Sequence, residues 1–451
     1  MKTIDMTQGS PLKLLIQFSI PVLLGNLFQQ IYTLADRIIV GQFVGDKAFS
    51  AIGATTALSM MFLSMCMGAA IGVGVVVSQY FGAKDEKNTA LAIANGSYTC
   101  IVVAVIMTII ALLTTKPILS LLNTPDSIMG DAVTYMYIYM GGLIAVAAYY
   151  TPFSILRAMG DSKTPLIFLV ISSLLNIVLD LLFVIAFHMG VGGAAFATIL
   201  SEAIAAILCI IYAFCKIPQF RLAAKYKNFN IHFIRQSLQV GLPTGLQYAL
   251  IYISSIILQR VVNGFGDDVI GAFTATTQIE TLVQQVFAAL GTAMVTYTGQ
   301  NIGAGKKDRI SSGVKAAMQI STAISLVLLV VFWIFGQPIM SIFVSNKTII
   351  DIAATGIRIT SLFLAALGGV QILRYMLNGA GDSGYALMNG IVEVIARIVF
   401  AIALTSIPFL GMWGIWLTTG LTWTVTAIFA LIRYKQGTWQ TKVLVNSKGE
   451  Q

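Results

Sequence analysis

The sequence predicts an all-α polytopic membrane protein, twelve transmembrane helices arranged as two pseudo-symmetric six-helix bundles. Three observations lead there. Of 451 residues, 57% are hydrophobic and only 10% charged, with a mean hydropathy of +0.86, where a soluble domain carries roughly 25% charged residues. The apolar residues gather into long runs, and twelve spans of about 20 residues use most of the chain. Finally, the second half repeats landmarks of the first at a fixed offset of 221. A soluble enzyme, a secreted domain and a DNA-binding protein are poor fits. The net charge of +9 argues little for nucleic acid, because where charge sits matters more than its sum.

The runs place helices near 14–40, 48–77, 89–113, 132–156, 165–188 and 191–214, then near 237–262, 269–298, 314–335, 352–376, 385–407 and 410–433. Lys2 and Lys13 precede an apolar segment too long for a cleavable signal peptide. Cys66, Cys100, Cys209 and Cys215 fall in or beside apolar segments without a CxxC pair, so they read as packing residues. The expected divisions are a first lobe at 1–214, a basic cytoplasmic linker at 215–236, a second lobe at 237–435 and a cytoplasmic tail at 436–451.

Lysine and arginine set the orientation. With both termini cytoplasmic, 19 of 27 basic residues lie on cytoplasmic segments, and only Lys47, Lys116 and Lys347 lie outside. The linker alone holds Lys216, Arg221, Lys225, Lys227 and Arg235, which satisfies the positive-inside rule. Its expected contact is the anionic lipid surface, with no nucleic-acid partner. The localisation expected is the cytoplasmic membrane, and the working unit a monomer.

The repeat is carried by five matches in register. Leu156-Arg-Ala-Met-Gly-Asp-Ser162 returns as Leu377-Asn-Gly-Ala-Gly-Asp-Ser383, and Gln79-Tyr-Phe-Gly-Ala83 as Gln300-Asn-Ile-Gly-Ala304. Pro117 returns as Pro338, Gly45-Asp46 as Gly266-Asp267, and Gly190-Val-Gly-Gly193 as Gly411-Met-Trp-Gly414. Six helices per half is an even number, so both halves enter from one face and are related by an axis along the membrane normal.

Enzyme chemistry has no footing. Gly303-Ala-Gly-Lys-Lys307 departs from a phosphate loop at Gln300 and Lys307. Only His188 and His232 exist, without a zinc ligand pattern, and no GxSxG nucleophile motif is present. No cofactor is expected; work must draw on an ion gradient, or the protein is passive.

The informative residues are intramembrane acids, each costing about 2.5–3.5 kcal/mol at mid-membrane on insertion scales. Asp36 lies in the first span and Asp180 in the fifth, with Asn176 four residues earlier on the same helical face. Asp180 sits about 12 Å below the outer end of its span by helical rise, a depth that Thr198 of the sixth span also reaches. Asp180, Asn176 and Thr198 are expected to form an oxygen-rich cluster in the outer half of the first lobe, which Asp36 joins if the first span packs alongside. Two poorly hydrated carboxylates need a cation. A proton is one solution and Na⁺ at Asp36, Asn176, Asp180 and Thr198 the other; Asp36 held by an arginine is the structural alternative. Pro21 breaks a helical hydrogen bond in the first span, as a static kink or as a hinge coupled to Asp36.

Over essentially its whole length the chain resembles the multidrug and toxic compound extrusion (MATE) transporters. The resemblance is carried by Ala35-Asp-Arg-Ile-Ile-Val-Gly41, the Gln79 to Ala83 turn, Arg157-Ala-Met-Gly-Asp-Ser-Lys-Thr-Pro165, Asn176-Ile-Val-Leu-Asp180 and the echoes Gly303-Ala304 and Gly381-Asp-Ser383. It implies two six-helix bundles around a central cavity, alternating access, and export of amphipathic, often cationic compounds in exchange for H⁺ or Na⁺. Prokaryotic members with an ion site in the first lobe have residues matching Gln29, Asp36, Asn176, Asp180 and Thr198, with a tyrosine matching Tyr135 and the helix-one bend at Pro21. The acidic pair that other members carry in spans seven and ten has no counterpart, since those segments offer Gln247 and Gln371.

Glu393 and Arg397 at i, i+4 read as an internal ion pair. Glu202 and Glu280 are candidates for attracting cationic substrates in the cavity. Met60 and Met61, with Met65 and Met67, suit either a promiscuous cavity or ordinary packing. Gly68, Gly72, Gly141 and Gly142 read as close-packing positions. The alternative function is a flippase for a lipid-linked precursor, for which Arg37, Arg260, Arg358, Arg374 and Arg397 would line a basic cavity.

Overall fold

The computed structural model describes residues 3–226 and 229–445; Lys227 of the basic linker and the end of the tail lie outside the described residues. Among the described residues all regular structure is helical. Ten helices are long and apolar enough to cross a membrane, and two bent pairs bring the number to twelve if each pair is one span.

The first half comprises α1 (Pro11–Phe43), α2 (Asp46–Gly82), α3 (Glu86–Leu121), the pair α4 (Asp126–Gly141) and α5 (Leu143–Ala158), α6 (Lys163–Asp180) and α7 (Gly190–Lys216). A short α8 (Pro218–Ala223) crosses the linker. The second half comprises α9 (Ile231–Val262), α10 (Asp267–Gly303), α11 (Lys307–Met340), the pair α12 (Lys347–Ser361) and α13 (Leu364–Ala380), α14 (Ser383–Thr405) and α15 (Trp413–Gln436). Local chemistry sets the ends. Asp85, Asn230 and Asn346 accept hydrogen bonds from first-turn amides. Gly381 and Gly437 close α13 and α15 at φ 88° and 71°, a left-handed turn that glycine adopts without strain.

The structure departs from sequence expectation in three places. The fourth and tenth spans are each broken, by 48° and 52°, where single helices at 132–156 and 352–376 were expected. The chain is apolar on both sides of each break, so hydrophobic pattern reports the span and not the bend. The seventh span also starts at Ile231, so helix reaches into the segment read as linker.

The repeat is visible in three dimensions. α2 and α10 are both 37 residues long, and the bent pairs α4–α5 and α12–α13 occupy matching places. One element does not repeat. α6 passes at Asp180 into a wide π-helical turn, Leu181–Ala186, whereas α14 stays α-helical to Thr405.

The halves meet along α2 and α9 and where α2 crosses α10. A methyl group on Gly68 or Gly72 would strike the backbone of α9 near Gly245, Gly241 and Ser237, so these two glycines allow the close packing expected of them. Gly82 abuts the carbonyl of Gln300, and Gly303 that of Gln79, which explains the glycine in both copies of that motif. The two glutamines finish the seal. Gln79 Nε2 donates to the Gly379 carbonyl across the interface at 3.1 Å, and Gln300 Nε2 to that of Ala158 at 2.8 Å. Their oxygens accept from terminal segments, Gln79 from the Leu444 amide at 2.9 Å and Gln300 from the Met6 amide at 3.0 Å. Asn301, Lys306 and Arg309 hold Met6, Thr7 and Gly9 by their carbonyls. The face carrying both terminal segments is thus closed.

Candidate ion and substrate site

Four elements of the first half bring several of the sequence candidates together. α1 carries Asp36, α4 carries Tyr135, α6 carries Asn176 and Asp180, and α7 carries Thr198. Asp180 is fully buried, Asn176 is 1% exposed, and Asp36 and Thr198 are 8% exposed. Thr198 donates its hydroxyl to the Ala194 carbonyl at 3.1 Å and accepts from Asn176 Nδ2 at 3.4 Å. That leaves the Asn176 Oδ1 turned elsewhere, and it has no hydrogen-bond partner among the described residues; nor have Asp36 Oδ1 and both oxygens of Asp180.

The two carboxyls lie within electrostatic reach of each other, and Tyr135 within reach of both. Arg37 is near enough to act on Asp36, but no ion pair joins them among the described residues. The π turn starts at the residue after Asp180; such turns re-aim side chains and recur at functional positions. Buried oxygens without donors carry a desolvation cost, and a proton or a hard cation drawn from carboxylate, amide and hydroxyl oxygens would remove it.

The remaining candidates stand elsewhere. Gln29, seven residues before Asp36, donates to the Tyr150 hydroxyl at 3.3 Å. Pro21 is buried inside α1, which runs through it without a break. Glu202 is 4% exposed with Oε2 unpartnered among the described residues. Met60 and Met61 pack against the cluster around Leu63, Met136 and Tyr139. Glu280 lies in the second half, 8% exposed, near Thr360 and Arg397; it is not part of the Asp36–Asp180 cluster.

The second half holds its buried acid differently. Glu393 pairs with Arg397 at 3.2 Å, as the spacing suggested, and also with Arg374. Arg374 adds a 3.0 Å bond to Asn389 Oδ1. The triad was only half legible, because Arg374 comes from another helix. It also removes two of the five arginines on which the flippase reading leaned. Arg157, which the sequence offered only within the repeated motif, lies near Tyr149, Tyr150 and Tyr375.

Comparison with known proteins agrees with the duplicated fold. The family model described as MatE matches twice, over residues 21–182 and 243–403, a displacement close to that of the sequence repeat. A Bacillus subtilis protein described as "Probable multidrug resistance protein YpnP" is 30% identical, over 99% of this chain and 100% of its own length. A solved structure, "Crystal structure of MATE in the bent conformation", superposes with a TM-score of 0.88 at 22% identity, covering 98% of this chain and 100% of that one. Another, "Outward-facing conformation of a multidrug resistance MATE family transporter of the MOP superfamily", gives 0.87 at 22%, covering 99% and 100%. With a duplicated twelve-span fold and a family match over both halves, the chain belongs to the MatE family of multidrug and toxic compound extrusion transporters.

Proposed function

We propose that the protein is a secondary active exporter of small amphipathic, cationic compounds that exchanges them for H⁺ or Na⁺ by alternating access. Support comes first from the relatives, described as multidrug resistance and multidrug export proteins. The observation that carries the exchange is the cluster of unpartnered, buried oxygens on Asp36, Asn176 and Asp180. An unpaired carboxylate pair in low dielectric is tolerable when a cation binds, so occupancy follows the gradient. Asp36, Asn176, Asp180 and Thr198 hold the ion, Tyr135 borders it, and Gln29 links the α1 face to Tyr150.

Alternating access is supported by a face that can be sealed by few contacts. The face with the terminal segments is sealed by Gln79 and Gln300, and the basic residues put that face in the cytoplasm. Ion binding at Asp36 acts on α1, whose Pro21 supplies the hinge. Glu202 and Glu280 attract the positive substrate, Met60 and Met61 give the first-half wall its adaptability, and a single chain suffices as the working unit. Everted vesicles given a pH gradient or a Na⁺ gradient separately provide the test. Ethidium export should follow one gradient and vanish in Asp36→Asn; unchanged export in that variant would remove Asp36 from the mechanism.

A further inference from the structure

The two terminal segments lie in clips that the repeat builds at equivalent places. The first clip pairs the turn after α5 with Gln300 of α10. Ile4 donates its amide to the Gly160 carbonyl at 3.0 Å, and a methyl on Gly160 would strike the Ile4 carbonyl. Two residues on, the Met6 amide donates to Gln300 Oε1 at 3.0 Å, and the Met6 carbonyl accepts from Asn301 Nδ2 at 3.0 Å. The second clip pairs the turn after α13 with Gln79 of α2, and both Gly381 and Gln79 stand 221 residues from their counterparts. A methyl on Gly381 would strike the Lys442 carbonyl. Two residues on again, the Leu444 amide donates to Gln79 Oε1 at 2.9 Å, and the Leu444 carbonyl accepts from Gln236 Nε2 at 2.6 Å. Gly160 and Gly381 hold nearly the same positive φ, 90° and 88°.

Ile4-Asp-Met6 and Lys442-Val-Leu444 have only an apolar third residue in common, so the clips read mainly the amide and carbonyl of a non-helical chain. Each segment also crosses the seam. Met6 is fully buried in the second-half cluster around Tyr297, while Ile4 is held by Gly160 of the first half. Trp439 and Val443 pack on that second-half cluster, while Leu444 and Val445 pack on the cluster around Val76 and Tyr80 of the first half. The glutamines tie occupancy to closure. Gln300 Nε2 reaches the Ala158 carbonyl of the first half, and Gln79 Nε2 the Gly379 carbonyl of the second. Each clip therefore takes one wall from either half and exists only while the halves touch on this face. We propose that the terminal segments are intramolecular ligands of these two clips, straps that must leave before the cytoplasmic face can open. A strap that binds only the closed arrangement favours it by its own docking free energy. This builds on the alternating-access reading and adds strap release, distinct from ion binding at Asp36 and Asp180, as a condition for inward opening.

The test uses the whole chain in proteoliposomes and reads the distance between spin labels at Lys87 of α3 and Lys307 of α11. Leu444→Pro and Met6→Pro each delete one strap amide that a glutamine accepts, and leave the helices of both halves unaltered. Each should raise the population at the longer distance about threefold or more, the worth of one lost hydrogen bond. The double variant should raise it further. A population that neither proline variant moves overturns the assignment. Should the variants fail to fold, hydrogen exchange in the wild type decides. The Met6 and Leu444 amides should lose protection under the same ion gradient that lengthens the distance, and protection kept while the distance lengthens overturns the assignment. A wild type that reaches no longer distance under either gradient or with ethidium overturns instead the alternating-access reading beneath it.

Discussion

On corresponding helices of the repeat, α6 and α14, the two halves handle a buried acid in opposite ways. Asn176 and Asp180 on α6 correspond to Arg397 and Ala401 on α14, and Ser172 corresponds to Glu393. In the second half Glu393 is held by Arg374 and Arg397, so its charge is permanently compensated. In the first half Asp180 has no protein donor among the described residues, and its helix opens into a π turn that α14 lacks. The motif aspartates differ too. Asp161 accepts from the Thr164 amide and hydroxyl and caps α6, whereas Asp382 binds Arg433 at 2.7 Å. Duplication kept the frame while the charges diverged: Glu393 is held by two arginines, and Asp180 has no protein partner among the described residues.

The strongest way to break this contrast is Asp180→Asn. It should abolish gradient-driven export in vesicles while leaving thermal stability equal or higher, because an uncompensated carboxyl is removed. A large fall in stability with export retained would make Asp180 another staple. Glu393→Gln should do the reverse. Stranding two guanidiniums should cost about 3–5 kcal/mol, read as a drop in the unfolding midpoint in detergent, and the surviving protein should still bind the coupling ion.

A smaller effect is expected where the halves behave alike. Gln79→Leu and Gln300→Leu each leave two hydrogen-bond partners unsatisfied, worth about 1–3 kcal/mol per group. Each should widen the distance between spin labels placed at Lys87 and Lys307, with similar amplitude. A response to only one of them would show that the seal is not shared.

The smallest effect concerns Asp5 in the N-terminal segment. Partial burial alone would raise its carboxyl, but hydrogen bonds from the Thr7 hydroxyl and amide, with Lys84 and Lys306 nearby, more than offset it and hold it below the usual range. A depressed folded-state value means that this stabilisation is present above about pH 4 and lost as pH falls through it. Acid should loosen the segment in the wild type, seen as faster exchange of the Met6 and Thr7 amides, and Asp5→Asn should show no such acid step.

Composition and periodicity determined the membrane class, the twelve spans, the duplication and the acids worth attention, because each is a property of the chain read in order. Asn176 and Asp180 were legible as a pair since one helical turn joins them, and Arg397 was legible as a partner of Glu393 for the same reason. Whatever depends on residues from different helices was decided by packing: Arg374 completing the Glu393 triad, Gln29 turning to Tyr150, and the crossed bonds of Gln79 and Gln300. The bends in the fourth and tenth spans and the π turn after Asp180 belong there too, because hydrophobic pattern reports which segments prefer lipid and is blind to their angle. A charge says little until its neighbours in space are known, and those neighbours come from far along the chain.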